Sequence, residues 1–236
     1  MPEGEAKAGI GRVARGRHLA VYASLLMIAT SGLAYELALG AAESLLLGDP
    51  VVQFALIIGV YMTSLGAGAW ASSLIRTNVD GRCVQVLLVT ALVGGLSGPL
   101  LLLVFAGQGP FRAAVFALTV GLGVLVGLQL PLMMRILRGR QRFEDALAGA
   151  LAVDYVGALA GSLCFSLLLM PWLGLLRTTL VLGLLDALGA ALLTWAIREP
   201  GVSARSRVAS CAVVAGVLIA MISVAARVEG MLEGDL

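Results

Sequence analysis

Apolar residues run along this chain in seven long blocks, at about 19–41, 51–75, 83–106, 112–134, 147–170, 177–197 and 207–227, with polar residues gathered in the gaps. Each block reaches the ~20 apolar residues that a helix needs to cross a hydrocarbon core. Within a block the apolar residues are continuous rather than alternating, and Leu, Ala and Gly dominate, which excludes the strands of a membrane barrel. The pattern predicts an all-α integral membrane protein, a compact bundle of about seven transmembrane helices over 19–227. A basic arm at 1–18 and an acidic tail at 228–236 flank it. The first block follows basic residues, as a signal peptide would. No A-x-A site closes it, and Tyr35 and Glu36 continue into more helix, so it reads as an uncleaved span.

Composition agrees. Of 236 residues 60% are hydrophobic and 13% charged, against about 45–50% and about 25% in a soluble domain. A net charge of +2 argues against a nucleic-acid binder. Cys83, Cys164 and Cys211 stand singly and His18 is the one histidine, so a protein-built zinc, haem or iron–sulfur centre is not expected, nor any other cofactor. Positive charge sets the orientation. Lys7, Arg12, Arg15 and Arg17 precede the first block, and Arg76, Arg82, Arg135, Arg138, Arg140, Arg142, Arg198, Arg205 and Arg207 fall in alternate gaps. Only Arg112, Arg177 and Arg227 fall on the other side, so the N-terminus is expected in the cytoplasm and the chain in a bacterial inner membrane.

Glycine costs about 1 kcal/mol against alanine in an ordinary helix, yet there are thirty. Gly94/Gly98, Gly123/Gly127 and Gly157/Gly161 have the spacing that lets membrane helices approach closely, and tight packing is expected at each. Trp70, Trp172 and Trp195 fall near block ends, where aromatic belts form. Within the blocks the acidic residues are Glu36, Asp154 and Asp186, and no Lys or Arg lies deep enough to pair with them. Each costs about 2.5–3.5 kcal/mol at mid-membrane, so each is expected to face the bundle interior or a wet cavity. Helix rise places Glu36 and Asp186 in the outer half of the membrane, and Gln129 and Asp154 in the inner half, within reach of each other. Gly32 and Gly40, one turn either side of Glu36, are expected to leave space around it. Pro131 frees a carbonyl beside Gln129 and is expected to bend the fourth helix. Such a cavity suits a cation or a proton, with Tyr35, Tyr61 and Tyr155 as candidate lining; the alternative is plain hydrogen bonding between helices. Retinal chemistry is excluded, because Lys7 is the one lysine, and the Gly-x-Gly pairs lie inside apolar blocks, not on nucleotide-binding turns.

Several motifs resemble the N-terminal membrane domain of bacterial membrane-bound spermidine synthase-like proteins (polyamine aminopropyltransferases). They are Thr30-Ser31-Gly32-Leu33-Ala34-Tyr35-Glu36, Leu47-Gly48, Gly66-Ala67-Gly68 and Gly127-Leu128-Gln129-Leu130-Pro131, together with the stretch from Asp154-Tyr155 through Gly161 and Phe165 to Met170-Pro171-Trp172-Leu173-Gly174-Leu175. The resemblance covers about 25–195. This chain departs from the family pattern at Gln129, where Glu is frequent, and at Asp186, where Asn is frequent nearby. In that family a soluble domain binding decarboxylated S-adenosylmethionine and putrescine follows the membrane helices. The expectation here is a non-catalytic membrane module without that domain, so the family's catalytic residues find no positions. It would bind or pass a small cation, a polyamine first among them, beside a separate aminopropyltransferase. The expected site residues are Glu36, Asp154, Gln129, Tyr35, Tyr155 and Asp186. The alternative is an anchoring subunit of a larger membrane complex. A membrane enzyme ranks last, because no base, nucleophile and metal set converges. The expected partners are the lipid bilayer, a small cation and a membrane or soluble protein, with no nucleic acid.

Overall fold

The computed structural model describes residues 3–47, 50–139, 141–197 and 202–234. Of the groups named above, Gly48, Arg140 and Arg198 lie outside the described residues, as do the side chains of Lys7, Arg12, Arg15, Arg205 and Arg227. The helices are α1 (Glu3–Leu47), α2 (Pro50–Ala71), α3 (Val79–Ala106), α4 (Phe111–Arg138), α5 (Phe143–Cys164), α6 (Met170–Ile197) and α7 (Val202–Gly234), and the described residues include no strand. Six stretches are long and apolar enough to cross a membrane: Gly16–Leu45, Pro50–Leu74, Val79–Ala106, Phe111–Arg138, Phe143–Ile197 and Ser206–Val224. The blocks expected at 147–170 and 177–197 thus fall within one 55-residue helical stretch.

That stretch is not straight. Pro171 has no N–H to offer Leu167, and the ladder slips into a π-helical turn at Phe165–Leu169, closed by Met170 N–H donating to Phe165 O. At Gly174 the backbone leaves the helix altogether, with φ 67° and ψ 178°, a conformation open to glycine and strained for any L side chain. Thr178 Oγ1 donates to Leu169 O across the bend at 3.0 Å. The neighbours prove a reversal. Going up α5, Gly157 meets Leu26 and Ala29 of α1 and Gly161 meets Thr30, so α5 runs parallel to α1. Going up α6, Asp186 meets Ser31 and Ser24 meets Gly189, so α6 runs antiparallel to it.

Helix α1 is central, packed against α2, α4, α5 and α6, while α7 lies outermost on α6 and α3. One apolar core fills the half of the bundle around Leu25, Leu87, Met133 and Leu193. A second fills the other half around Tyr35, Leu39, Tyr61 and Leu122. The connections sort by end. Arg135 Nη1 donates to Ile75 O at 2.6 Å, and Gln141 Nε2 donates to the Tyr22 hydroxyl at 2.8 Å, so the α2–α3 and α4–α5 connections share the end where α1 enters. Arg112, opening α4, meets Glu43 at the opposite end. Helix α4 passes through Pro131 as one helix. Trp70, Trp172 and Trp195 all face outward.

Candidate functional site

Two helix pairs are drawn tight by glycine. Gly123 and Gly127 of α4 lie on the backbone of α2 at Tyr61 and Leu65, and Gly157 and Gly161 of α5 lie on the backbone of α1 at Leu26 and Thr30. Gly94 and Gly98 of α3 lie against Tyr35 and Thr179. All three pairs thus serve close packing, since at Gly127 or Gly161 even one added methyl would strike a carbonyl. The α1–α5 pair meets the α2–α4 pair at Gly32 and Val126, and α5 touches α4 only lightly. Beside this meeting point the pairs diverge, leaving a cavity of about 480 Å³. That volume falls within the ~300–1,000 Å³ of small-molecule sites.

Glu36, Asp154 and Gln129 all line this cavity, with Tyr61 and Tyr155. Among the described residues, no Lys or Arg lines it. Glu36 is 3% exposed, and its Oε2 is buried without a hydrogen bond. Asp154 lies partly buried on α5 in the same wall. Gln129 is fixed by its neighbours. The Thr90 hydroxyl donates to Val86 O at 2.9 Å, so its oxygen accepts from Gln129 Nε2 at 2.8 Å. In this arrangement Gln129 Oε1 is a buried acceptor that meets no donor among the described residues. Gln129 therefore bonds to Thr90, and no hydrogen bond joins it to Asp154; the two share the cavity instead. Tyr61 is oriented by donating its hydroxyl to Gly32 O at 2.8 Å.

Asp186 and Tyr35 are elsewhere. Asp186 is 1% exposed and accepts from the Ser31 hydroxyl and, at 3.0 Å, from the Tyr35 hydroxyl. Both donors belong to α1, so this carboxylate ties α6 to α1, and neither Asp186 nor Tyr35 lines the cavity. The Tyr35 ring fits there because Gly94 of α3 carries no side chain where the ring lies. Tyr155 does line the cavity, at its rim, and faces outward at 70% exposure. The space expected beside Glu36 exists on one side only. Gly32 lines the cavity, whereas the Phe54 ring packs against Gly40. Glu43, on the same stripe of α1, is fully buried and pairs with Arg112 Nε at 3.5 Å.

Sequence reasoning missed Thr90, Ser31 and the Glu43–Arg112 pair. Thr90 and Ser31 lie at the depths of Gln129 and Asp186, so depth bookkeeping extended to hydroxyls would have found them. The Glu43–Arg112 pair needed the relative rotation of α1 and α4, which no spacing along the chain carries.

No protein-family model matches this chain, and no solved structure does. Among curated proteins, it is 45% identical over 199 residues to polyamine aminopropyltransferase 1 of Ralstonia nicotianae, an alignment covering 83% of this chain and 38% of that protein. It is 39% identical over 178 residues to a polyamine aminopropyltransferase of Leptospira interrogans, covering 75% and 36%. It is 36% identical over 180 residues to polyamine aminopropyltransferase 1 of Streptomyces coelicolor, covering 75% and 34%. The chain is thus similar over most of its own length to proteins so named, and spans a little over a third of each.

Proposed function

We propose that this chain is a bacterial inner-membrane module that crosses the bilayer seven times, enters from the cytoplasm, and binds or passes a small organic cation of the polyamine class. The observation that carries the reading is the cavity between α1, α2, α4 and α5, which brings together two carboxylates and a free carbonyl acceptor, with no basic side chain among the described residues that line it. A buried carboxylate without a partner is costly in lipid, and a cation is the partner that removes the cost. The names of the similar proteins, polyamine aminopropyltransferases, supply the class of cation. An aminopropyltransferase acting on the same amines, on the same chain or a separate one, completes the reading. The reversal at Gly174 supports seven crossings, because it turns the 55-residue stretch back along α1.

The anchoring alternative requires every buried carboxylate to be spent on packing. Asp186 meets that requirement and Glu36 does not. The deciding experiment is Glu36→Gln, titrated with a linear polyamine beside wild type in detergent. The amide keeps shape and hydrogen-bonding capacity while removing the charge, so melting temperature holds or rises. Amine affinity falls about 10- to 150-fold, the loss of one charge-assisted contact worth about 1.5–3 kcal/mol. Equal binding by the variant, or no binding by wild type, defeats the cation reading and leaves the anchor. Reporter fusions after Gly48 and after Arg142 are expected to read outside and inside; the reverse pattern overturns the orientation.

A further inference from the structure

The cavity is long, and its acceptors stand at different heights. On α1 the lining runs from Leu25 to Glu36. Gly157 of α5 packs on α1 between Leu26 and Thr30, so Asp154, three residues earlier on a parallel helix, stands level with Leu25. Glu36 is then eleven residues further along, about 16 Å at ~1.5 Å per residue. Because α1 and α5 run in the same direction, their side chains lean the same way, and the backbone offset carries over to the carboxylates. Helix α4 is antiparallel to α1 and meets it with Val126 at Gly32, which puts Gln129 level with Ala29, between the two carboxylates. The acceptors thus form a line: Asp154, then Gln129 Oε1, then Glu36.

We infer that this line selects an extended linear oligoamine whose outermost nitrogens lie about 11 Å apart, in preference to a short diamine. The inference rests on the cation reading above and goes beyond it by fixing the ligand's length. Two carboxylates about 16 Å apart, each accepting a charge-assisted hydrogen bond of ~2.8 Å from an ammonium between them, leave about 11 Å for the nitrogen-to-nitrogen span. An extended chain advances about 1.2 Å per bond, as a peptide backbone does, so about nine bonds fill that span. A triamine with one three-carbon and one four-carbon spacer has that length, and its inner ammonium falls in the stretch that Gln129 serves. A four-carbon diamine, at about five bonds and ~6 Å, reaches one carboxylate at a time.

The test is calorimetric titration of the full chain in detergent with four amines: 1,4-diaminobutane, 1,8-diaminooctane, N-(3-aminopropyl)-1,4-diaminobutane and octylamine. The triamine and the eight-carbon diamine are expected to bind at least tenfold more tightly than the four-carbon diamine, the gain of a second charged contact. Octylamine, equally long with one charge, is expected to bind no better than the four-carbon diamine. Glu36→Gln and Asp154→Asn should each pull the triamine down to the four-carbon level, because each removes one of its two charged contacts. If octylamine matches the eight-carbon diamine, apolar length rather than the second carboxylate is responsible, and the inference fails. It also fails if the four-carbon diamine binds as tightly as the triamine; the cation reading survives that result provided Glu36→Gln still weakens binding. If no amine binds, the cation reading falls first.

Discussion

Asp186 of α6, docked on α1 at Ser31 and Tyr35, and Glu36 of α1, next to Tyr35 in the chain, are treated in opposite ways. Asp186 is given two hydroxyl donors from α1 and sealed at 1% exposure. Glu36 is almost as inaccessible from outside, at 3%, but one of its oxygens is buried without a donor beside a cavity. The difference is one of supply. Ser31 and Tyr35 turn toward α6, where a carboxylate waits, while on the cavity side Glu36 Oε2 meets no donor among the described residues and the Tyr61 hydroxyl is committed to Gly32 O. Membrane segments keep unpaired carboxylates where a ligand or an ion path uses them and satisfied ones where helices must stay docked. Composition alone would not separate the two roles.

The sharpest way to break this comparison is to remove the satisfied member. Asp186→Ala strands the buried Tyr35 hydroxyl, leaves the Ser31 hydroxyl only Ile28 O of its own helix, and opens a small void between α1 and α6. The expected loss is about 2–3 kcal/mol, from hydrogen bonds worth roughly 0.6–1.7 each in bilayers plus the one unsatisfied donor. Asp186→Asn keeps an acceptor for both and is expected to lose about 1 kcal/mol or less. Thermal unfolding of the purified variants in detergent reads both. An alanine variant that melts like wild type would mean that Asp186 does not hold α6, and its place on the packing side of the comparison would go.

A smaller effect tests the frame that creates the cavity. Gly161→Val inserts a side chain against the Thr30 carbonyl and pushes α5 off α1, whereas Gly121 of α4 has open space at its Cβ. Overpacking of this kind costs about 1–3 kcal/mol, and Gly121→Val is expected to stay within about 0.5 kcal/mol of wild type. Melting curves of the pair decide it. Equal stabilities would show that the α1–α5 contact has slack, and with it the register used to place Asp154 level with Leu25.

Much of this was legible in the chain itself. Continuous apolar blocks gave helices, and the three Gly-x-x-x-Gly pairs gave close approach, because both depend on properties local to one helix. Depth could also be counted along each helix, which is how Gln129 and Asp154 came to share one cavity. Rotation about the helix axis could not be counted. Residues 35 and 36 are adjacent, yet one meets α6 and the other the cavity, and only the packed neighbours of α1 decide which. The same blindness put Gly40 beside open space when Phe54 of α2 fills it. The bend at Gly174 had its signal in Pro171 and Gly174, but the π-helical turn before it keeps the ladder running farther than a proline suggests.

The least expected effect belongs to Tyr155, and it sharpens the comparison by setting the cavity's outer limit. Its neighbour Asp154 is partly buried in the wall, but Tyr155 itself is turned outward at the rim. Under the proposed reading, a cation seated between Asp154 and Glu36 would meet this ring at its edge of travel, where a cation–π contact is worth about 0.5–1 kcal/mol, roughly two- to fivefold in affinity. Tyr155→Leu is expected to weaken triamine binding by that factor, and Tyr155→Phe, which keeps the ring, to leave it unchanged. Neither should move the melting temperature, because the side chain packs little inside the bundle. Titrations of the two variants beside Glu36→Gln put the three on one scale. A Tyr155→Leu loss as large as that of Glu36→Gln would move the binding position out to the rim. The cation would then sit at the cavity mouth, and the line from Asp154 to Glu36 would no longer describe it.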